Sequence, residues 1–183
     1  RDMVTSLKKK NAGTVQPTAT PKVEIAPFST EHGQMVVDLI VGIQRNEFKI
    51  PITIDDQPDL LTIPAFYQKG NGNFWVALDK GEVVGTISLL DIGNGQVALR
   101  KMFVAKAYRG NKTATAQQLL NQALTWSREQ GIDGIFLGTT AKFKAAHNFY
   151  EKSGFLLISK SHLPQRFPVM TVDTRFYAYG IRA

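Results

Sequence analysis

The residues from Leu99 to Tyr150 constrain the fold more than any others in the chain. Six residues of strand character, Leu99-Arg100-Lys101-Met102-Phe103-Val104, run into Tyr108-Arg109-Gly110-Asn111-Lys112-Thr113-Ala114-Thr115-Ala116. The second segment is small, polar and basic. Behind it Ala116, Leu119, Leu120, Ala123 and Leu124 recur at i, i+3, i+4, i+7 and i+8, which predicts a helix with one buried face, closed by Gly131. A strand feeding a small-residue turn at a helix start gathers backbone N–H groups, and the helix dipole adds to them, so this turn suits phosphate. About thirty residues further on, Ala145-Ala146-His147-Asn148-Phe149-Tyr150 predicts a second helix whose tyrosine is placed to supply a proton nearby. The combination points to an enzyme that binds a phosphorylated carrier and transfers a group from it.

The remaining elements follow from periodicity and turn chemistry. Lys22 to Phe28 reads as a short strand. Ser29-Thr30-Glu31 is a helix-start signal ahead of Met35, Val36, Leu39, Ile40 and Ile43 at helical spacing. Leu60 to Lys69 reads as a second helix closed by Gly70. Phe74–Leu78, Glu82–Leu90 and Gln96–Val104 form a β-meander joined at Asp79-Lys80-Gly81 and Gly93-Asn94-Gly95. Ile135–Leu137 reads as a buried strand parallel to its partner, Lys142–Glu151 as a helix, and Phe155–Ile158 and Val172–Tyr179 as strands. The order β-α-α-β-β-β-α-β-α-β-β predicts a mixed α/β sheet of about six to seven strands with helices on both faces.

Bulk properties bound the function. At 183 residues the chain is expected to form one domain over residues 23–183 behind a polar, basic tail over 1–22. It has no cysteine, so disulfides, thiolate metal sites and cysteine nucleophiles are excluded. A reducing cytoplasm is the simplest expected location. No run of 18 apolar residues is present and no apolar stretch follows the basic start, so neither a membrane span nor a signal peptide is expected. His32, His147 and His162 lack ligand spacing, and no metal is expected. The Gly-x-x-x-x-Gly-Lys-Ser/Thr signature is absent. The net charge of +7 is concentrated in Lys8-Lys9-Lys10 and around the turn, in Arg100, Lys101, Lys106, Arg109 and Lys112. The second cluster fits phosphate attraction. Aromatic residues do not interleave with it as a nucleic-acid platform requires, so nucleic acid is not an expected partner.

Two stretches resemble the GNAT superfamily of acetyl-CoA-dependent N-acetyltransferases. Leu99-x-x-Met102-Phe103-Val104-x-x-x-Tyr108-Arg109-Gly110 is similar to that family's central strand and the start of its pyrophosphate loop. Ala146-x-x-Phe149-Tyr150-Glu151-Lys152-x-Gly154-Phe155 is similar to its later helix and the strand after it. The resemblance spans roughly residues 74–158 and implies an acyl-CoA N-acyltransferase fold. Counting the family's loop from Arg109 puts Lys112 at its first glycine and Ala114 at its second small position. Counting back from the buried leucines aligns Asn111, Ala114 and Ala116 instead, and is preferred because the helix must keep its apolar face.

The resemblance implies a mechanism. Acetyl-CoA would lie along the edge of the Met102–Val104 strand, where that strand splays from Ile135–Leu137. The Met102 N–H would polarise the acetyl carbonyl, and the backbone of Phe103 and Val104 would line the pantetheine arm. The loop Arg109-Gly110-Asn111-Lys112-Thr113-Ala114-Thr115-Ala116 would take the pyrophosphate, with Asn148 a further contact. Tyr150 would protonate the leaving thiolate. The family often carries an Asn three residues before the helix alanine, where this chain has Phe143. It often carries a Glu four residues before the Met102 position, where this chain has Ala98. Glu82, Asp91, Glu47 and His147 are the other base candidates, with a solvent-facing imidazole expected at His147, and a water chain is the remaining route. The expected acceptor is a small-molecule amine or a peptide amine, in a pocket from the first helices and the region after Ile158. Phe66, Tyr67, Phe167, Tyr177 and Tyr179 are candidates to line it. A homodimer is compatible. The alternative function is a non-catalytic acyl-CoA sensor or interaction module on the same fold.

Overall fold

The structure, a computed structural model, describes residues 22–181. The tail expected over residues 1–22 therefore lies outside the described residues, Lys22 apart. Seven strands form one sheet: β1 (Glu24–Pro27), β2 (Asn73–Asp79), β3 (Glu82–Gly93), β4 (Gln96–Val104), β5 (Gly134–Thr139), β6 (Leu156–Ile158) and β7 (Arg175–Gly180), in the order β1-β2-β3-β4-β5-β7-β6. Among the described residues four α-helices accompany it: α1 (Gly33–Gly42), which continues as a π-helical turn over Ile43–Glu47, the single turn α2 (Ile63–Phe66), α3 (Thr115–Glu129) and α4 (Lys144–Lys152). The expected mixed sheet with helices on both faces is the architecture found.

The meander has the predicted turns. Lys80 and Gly81 both have positive φ, as do Asn94 and Gly95, the backbone that lets a two-residue loop follow the twist of a hairpin. Alternation along the strands then separates two cores. Trp75, Ala77, Ile87, Leu89, Val97 and Leu99 face α3, where Leu119, Leu120 and Ala123 are fully buried, and the same cluster takes in Tyr150 and Phe155. Phe74 and Val76 face the other way, against Val36 and Ile40 of α1 and Ile63 of α2. A third cluster, Ile92, Ala98, Phe167 and Phe176, extends that second face.

Three predicted elements differ. The helix expected over Leu60–Lys69 is a 3-10 turn (Pro58–Leu61) followed by α2, because Pro58 and Pro64 each sit at the start of a short turn and no continuous ladder spans both. α1 begins at Gly33 after a 3-10 turn (Thr30–His32), and it is His32 Nδ1 that accepts the Ser29 N–H at 3.1 Å. The last strand begins at Arg175, not Val172. Asp173 closes a turn back to Met170, with its carboxylate accepting the Met170 N–H at 3.0 Å and its own N–H donating to the Met170 carbonyl at 3.0 Å.

The feature that positions the site is the junction of β4 and β5. All other strand neighbours are antiparallel, and this pair is parallel. It pairs only through Gln96↔Gly134, Val97↔Ile135 and Ala98↔Phe136. Both strands continue past that point, β4 still paired to β3 and β5 to β7. The sheet therefore opens in the middle, with unpaired backbone on the facing edges.

Candidate functional site: the opening between β4 and β5

A bulge in β4 sits at this opening. β3 and β4 pair at Ser88↔Arg100 and again at Thr86↔Phe103, so Ile87 faces two residues, Lys101 and Met102. Lys101 takes φ 54°, a left-handed conformation that a lysine adopts only under local constraint. The constraint comes from two buried hydroxyls. Ser88 Oγ donates to the Arg100 carbonyl and Thr86 Oγ1 donates to the Lys101 carbonyl, each at 2.7 Å. Every peptide among the described residues is trans, so C=O and N–H point in opposite directions across each unit. Holding those two carbonyls on the β3 side turns the N–H groups of Lys101 and Met102 away from β3. Two successive amides facing one way form a concave site for negative charge.

A buried polar network supports the bulge. Lys101 Nζ donates to Gln57 Oε1 at 2.7 Å and lies 3.6 Å from Asp59 Oδ2. The Tyr67 hydroxyl donates to the same Asp59 oxygen at 2.5 Å, and Gln44 and Gln57 exchange amide bonds at 2.8 and 3.1 Å. Burial lowers the Lys101 ammonium from its ordinary value, opposed by the Asp59 charge. Burial likewise raises the Tyr67 phenol far above its ordinary value.

The loop beyond β4 is shaped by few bonds. The Tyr108 hydroxyl donates to Asp79 Oδ2 at 2.5 Å, and Thr113 Oγ1 donates to the Tyr108 carbonyl at 2.6 Å. Ala114, preceding the first residue of α3, takes φ 50°, and Gly110 takes φ 92°. Both countings of the loop place Ala114 at a small-residue position, so its left-handed backbone fits either. Gly110 through Thr113 are exposed or half-buried, and their N–H groups donate to no described residue; nor do those of Thr115, Ala116 and Gln117. The Thr115 hydroxyl is fully buried at the head of α3 and has no hydrogen-bond partner among the described residues. A run of unsatisfied donors at a helix N-terminus is the chemistry a pyrophosphate requires.

The candidate residues fall into three groups. Met102, Phe103 and Val104 line the open edge of β4. Gly110, Asn111, Lys112, Thr113, Ala114, Thr115 and Ala116 form the loop and helix start just beyond it. Arg109 is committed locally: its Nε donates to the Val104 carbonyl at 2.8 Å and its guanidinium pairs with Glu47 at 2.6 Å. It ties the loop to β4, and it occupies the carbonyl expected to hold the pantetheine arm. Tyr150 packs against Phe149, Phe155 and Tyr177, the last of which pairs with Leu137 on the β5 wall. Its hydroxyl bonds no described residue, and burial raises its phenol well above the ordinary value, so the proton stays on at neutral pH. Asn148 is exposed, beside a groove it shares with Lys144 and Arg175.

The base candidates do not converge on the opening. Glu82 is exposed at the β2–β3 turn, Glu47 is paired with Arg109, and Asp91 accepts the Asn71 and Gly93 N–H groups as a turn brace. His147 is buried rather than solvent-facing, because its ring packs towards Tyr177 and bonds the Thr140 carbonyl at 2.9 Å. The five aromatic residues expected to share a pocket are divided among the three cores. Sequence reasoning missed Thr86, Ser88, Asp59 and Asp173. The first two are hydroxyls at consecutive same-face positions of an otherwise apolar strand, and that was their available signal.

The chain is similar to known acetyltransferases. Residues 40–155 match the Acetyltransferase (GNAT) family. An N-acetylaspartate synthetase of Danio rerio is 34% identical over 105 residues, covering 56% of this chain and 36% of that protein. A probable N-acetyltransferase family 8 member 5 of Mus musculus is 33% identical over 104 residues, covering 54% and 45%. The chain thus spans less than half the length of these curated relatives. A crystal structure of an acetyltransferase of GNAT family from Staphylococcus aureus Mu50 superposes with a TM-score of 0.83 at 39% identity, covering 87% of this chain and 99% of that one. The PaiA N-acetyltransferase of Thermoplasma acidophilum, solved in complex with coenzyme A, shares the fold at a TM-score of 0.66 and 15% identity, covering 86% and 98%. That family match spans more than half of the sequence, and the chain belongs to the GNAT acetyltransferase family.

Proposed function

We propose that this protein moves an acetyl group from acetyl-CoA to a primary amine by direct attack. The carrying observation is the pair of amides, Lys101 and Met102, turned away from β3 at the point where β4 and β5 part. Bound acetyl-CoA supplies an acetyl thioester, whose carbonyl oxygen gains negative charge as the amine attacks. The two amides stabilise that charge, and one such donor is typically worth about 3–4 kcal/mol. Met102 and Phe103 offer their edge to the pantetheine arm, while the Val104 carbonyl is held by Arg109. Gly110, Asn111, Lys112, Thr113, Ala114, Thr115 and Ala116 take the pyrophosphate, at about 1.5–3 kcal/mol per charge-assisted bond. Arg109 braces the loop. Asn148 contributes a solvent-side contact.

Tyr150 gives its phenol proton to the departing sulfur. A phenol near 10 and a thiol near 8.5 differ by about 1.5 units, or about 2 kcal/mol, in water. Burial raises the phenol further, so the transfer depends on the departing thiolate being desolvated beside it. No group here must become covalently acylated, and no cysteine exists to be so. The acceptor is a small amine or a peptide amine, and a cytoplasmic setting goes with this reading.

The test is release of free CoA by the purified chain with acetyl-CoA and a panel of amines. Amine-dependent release with acetylated product supports the reading. Thermal stabilisation by acetyl-CoA with no amine-dependent release contradicts it and leaves a binding module.

A further inference from the structure

One half-buried cation beside the reacting amides has no hydrogen-bonding partner among the described residues. The Arg100 guanidinium lies over two rings, 5.8 Å from the Phe66 centroid and 5.9 Å from that of Tyr67. It makes no hydrogen bond and no ion pair with any described residue. Its neighbour Lys101 is already satisfied by Asp59 and Gln57. A stacked guanidinium keeps its five N–H donors at the rim, in the fork geometry that grips a carboxylate.

Across the opening stands an anion. Ala98 and Phe136 are the last paired residues of β4 and β5 and share the α1 face. Two residues on, alternation puts Arg100 and Gly138 on that face, one on each side of the parting strands. Asp173 rests on Gly138: a Cβ there would fall 2.5 Å from Asp173 Oδ2, so only glycine admits the carboxylate. One carboxylate oxygen accepts the Met170 N–H, and the other has no bond to a described residue. Arg100 and Asp173 feel each other electrostatically but lie beyond the 4.0 Å of an ion pair. Opposite charges held apart on the two lips of an opening complement a ligand carrying both signs.

We propose that Arg100 and Asp173 recognise an acceptor that bears a carboxylate next to its amine, a free amino acid, with Arg100 holding the carboxylate and Asp173 the amine. This rests on the acetyltransferase reading and names its acceptor. As the amine nitrogen bonds to the acetyl carbon, the C–S bond breaks. The proton shed by nitrogen passes to Asp173 and from there to solvent, the sulfur takes the Tyr150 proton, and solvent returns a proton to the Tyr150 phenolate, so that one proton moves net from nitrogen to sulfur. Asp173 is thus a catalytic residue, in the role that none of the carboxylates singled out in the sequence fills.

The experiment compares each of a panel of free amino acids with its own carboxamide as acceptor for the whole chain. Arg100 makes charge-assisted bonds to a carboxylate that a neutral carboxamide cannot reproduce in a half-buried site. The acid form of the best acceptor should therefore be favoured about 10- to 100-fold in kcat/KM, expressed mainly through KM. Arg100→Ala should collapse that ratio towards one, and Arg100→Lys should restore part of it. Asp173→Asn should lower kcat for both acceptor forms. Carboxamides or peptide amino termini turned over as well as free amino acids by the unaltered protein would overturn the proposal while leaving the acetyltransferase intact. If acetyl-CoA binds and no amine is acetylated, the acetyltransferase reading fails and this inference with it.

Discussion

Thr86 touches neither substrate, yet the bulge geometry makes its hydroxyl decisive for turnover. Its Oγ1 donates to the Lys101 carbonyl at 2.7 Å from a fully buried position. Valine has nearly the same shape, so Thr86→Val removes that one bond and little packing. The Lys101 carbonyl is then left without its partner, at about 1–3 kcal/mol. For a chain of this size that lowers the melting temperature by about 2–4 °C per kcal/mol. The bond also holds the 101–102 peptide in its left-handed setting. Without it the unit can rotate and withdraw the Met102 N–H, while Ser88 still fixes the Arg100 carbonyl and thus the Lys101 N–H. A loss of about 1–3 kcal/mol shifts the peptide's population about 5- to 150-fold, and outright removal of one oxyanion donor costs about 10²-fold or more. We therefore expect kcat to fall about 10- to 100-fold in steady-state assays, with KM for acetyl-CoA within about threefold because the loop amides are untouched. Thr86→Ser, which keeps the hydroxyl, should recover most of kcat even though it leaves a small cavity. Equal kcat in the two variants, close to that of the unaltered protein, would refute the reasoning.

Tyr150→Phe leaves no group unsatisfied, so the fold should persist while kcat drops about 10²- to 10⁴-fold; an acetyl donor with a more acidic thiol should lose less, and an unchanged kcat removes Tyr150 from the reaction. Gly138→Ala should push Asp173 off its seat and cut kcat with little change in the acetyl-CoA KM, read by steady-state kinetics. Asp59→Ala strands the Lys101 ammonium, whose side chain is 10% exposed, and should destabilise the protein by about 3 kcal/mol in urea unfolding, with Lys101→Met in the same chain restoring part of the stability. Burial raises the Tyr67 and Tyr150 phenols above their ordinary value of 10.0. The stability they lend is complete below that pH and is lost as pH climbs towards their folded values, because the unfolded chain then releases protons that the folded one retains. Urea midpoints should fall from about pH 9.5 to 11, and less steeply in Tyr150→Phe.

The hairpins, α3 and the donor-rich loop were legible because their signals are local. Lys80-Gly81 and Asn94-Gly95 announce their own turns, and the leucines of α3 announce its face. Ala114 was legible through α3, since the helix register fixed which residue precedes it. The bulge was not legible. Its left-handed residue is a lysine, a type that gives no such signal, and its cause lies in hydroxyls thirteen and fifteen residues earlier, brought alongside by strand pairing. Asp173 was hidden inside an alternating run, Val172–Tyr179, that reads as strand. Its seat on Gly138 depends on a contact across 35 positions. The buried state of His147 and the pairing of Glu47 with Arg109 are likewise tertiary, and composition carries no trace of either.

The central claim is that the parted edge of β4 and the adjoining loop receive a diphosphate-bearing thioester. The most direct measurement is amide NMR of the isotopically labelled chain titrated with CoA to about 1 mM, enough to populate a site stronger than about −4 kcal/mol. Shifts and slowed exchange are expected at Lys101, Met102 and the amides from Gly110 to Gln117, with Ile25 and Ala77, on the two strands at the far edge of the sheet, unmoved. Unchanged spectra at those loop and bulge amides, or shifts confined to another face, would contradict it.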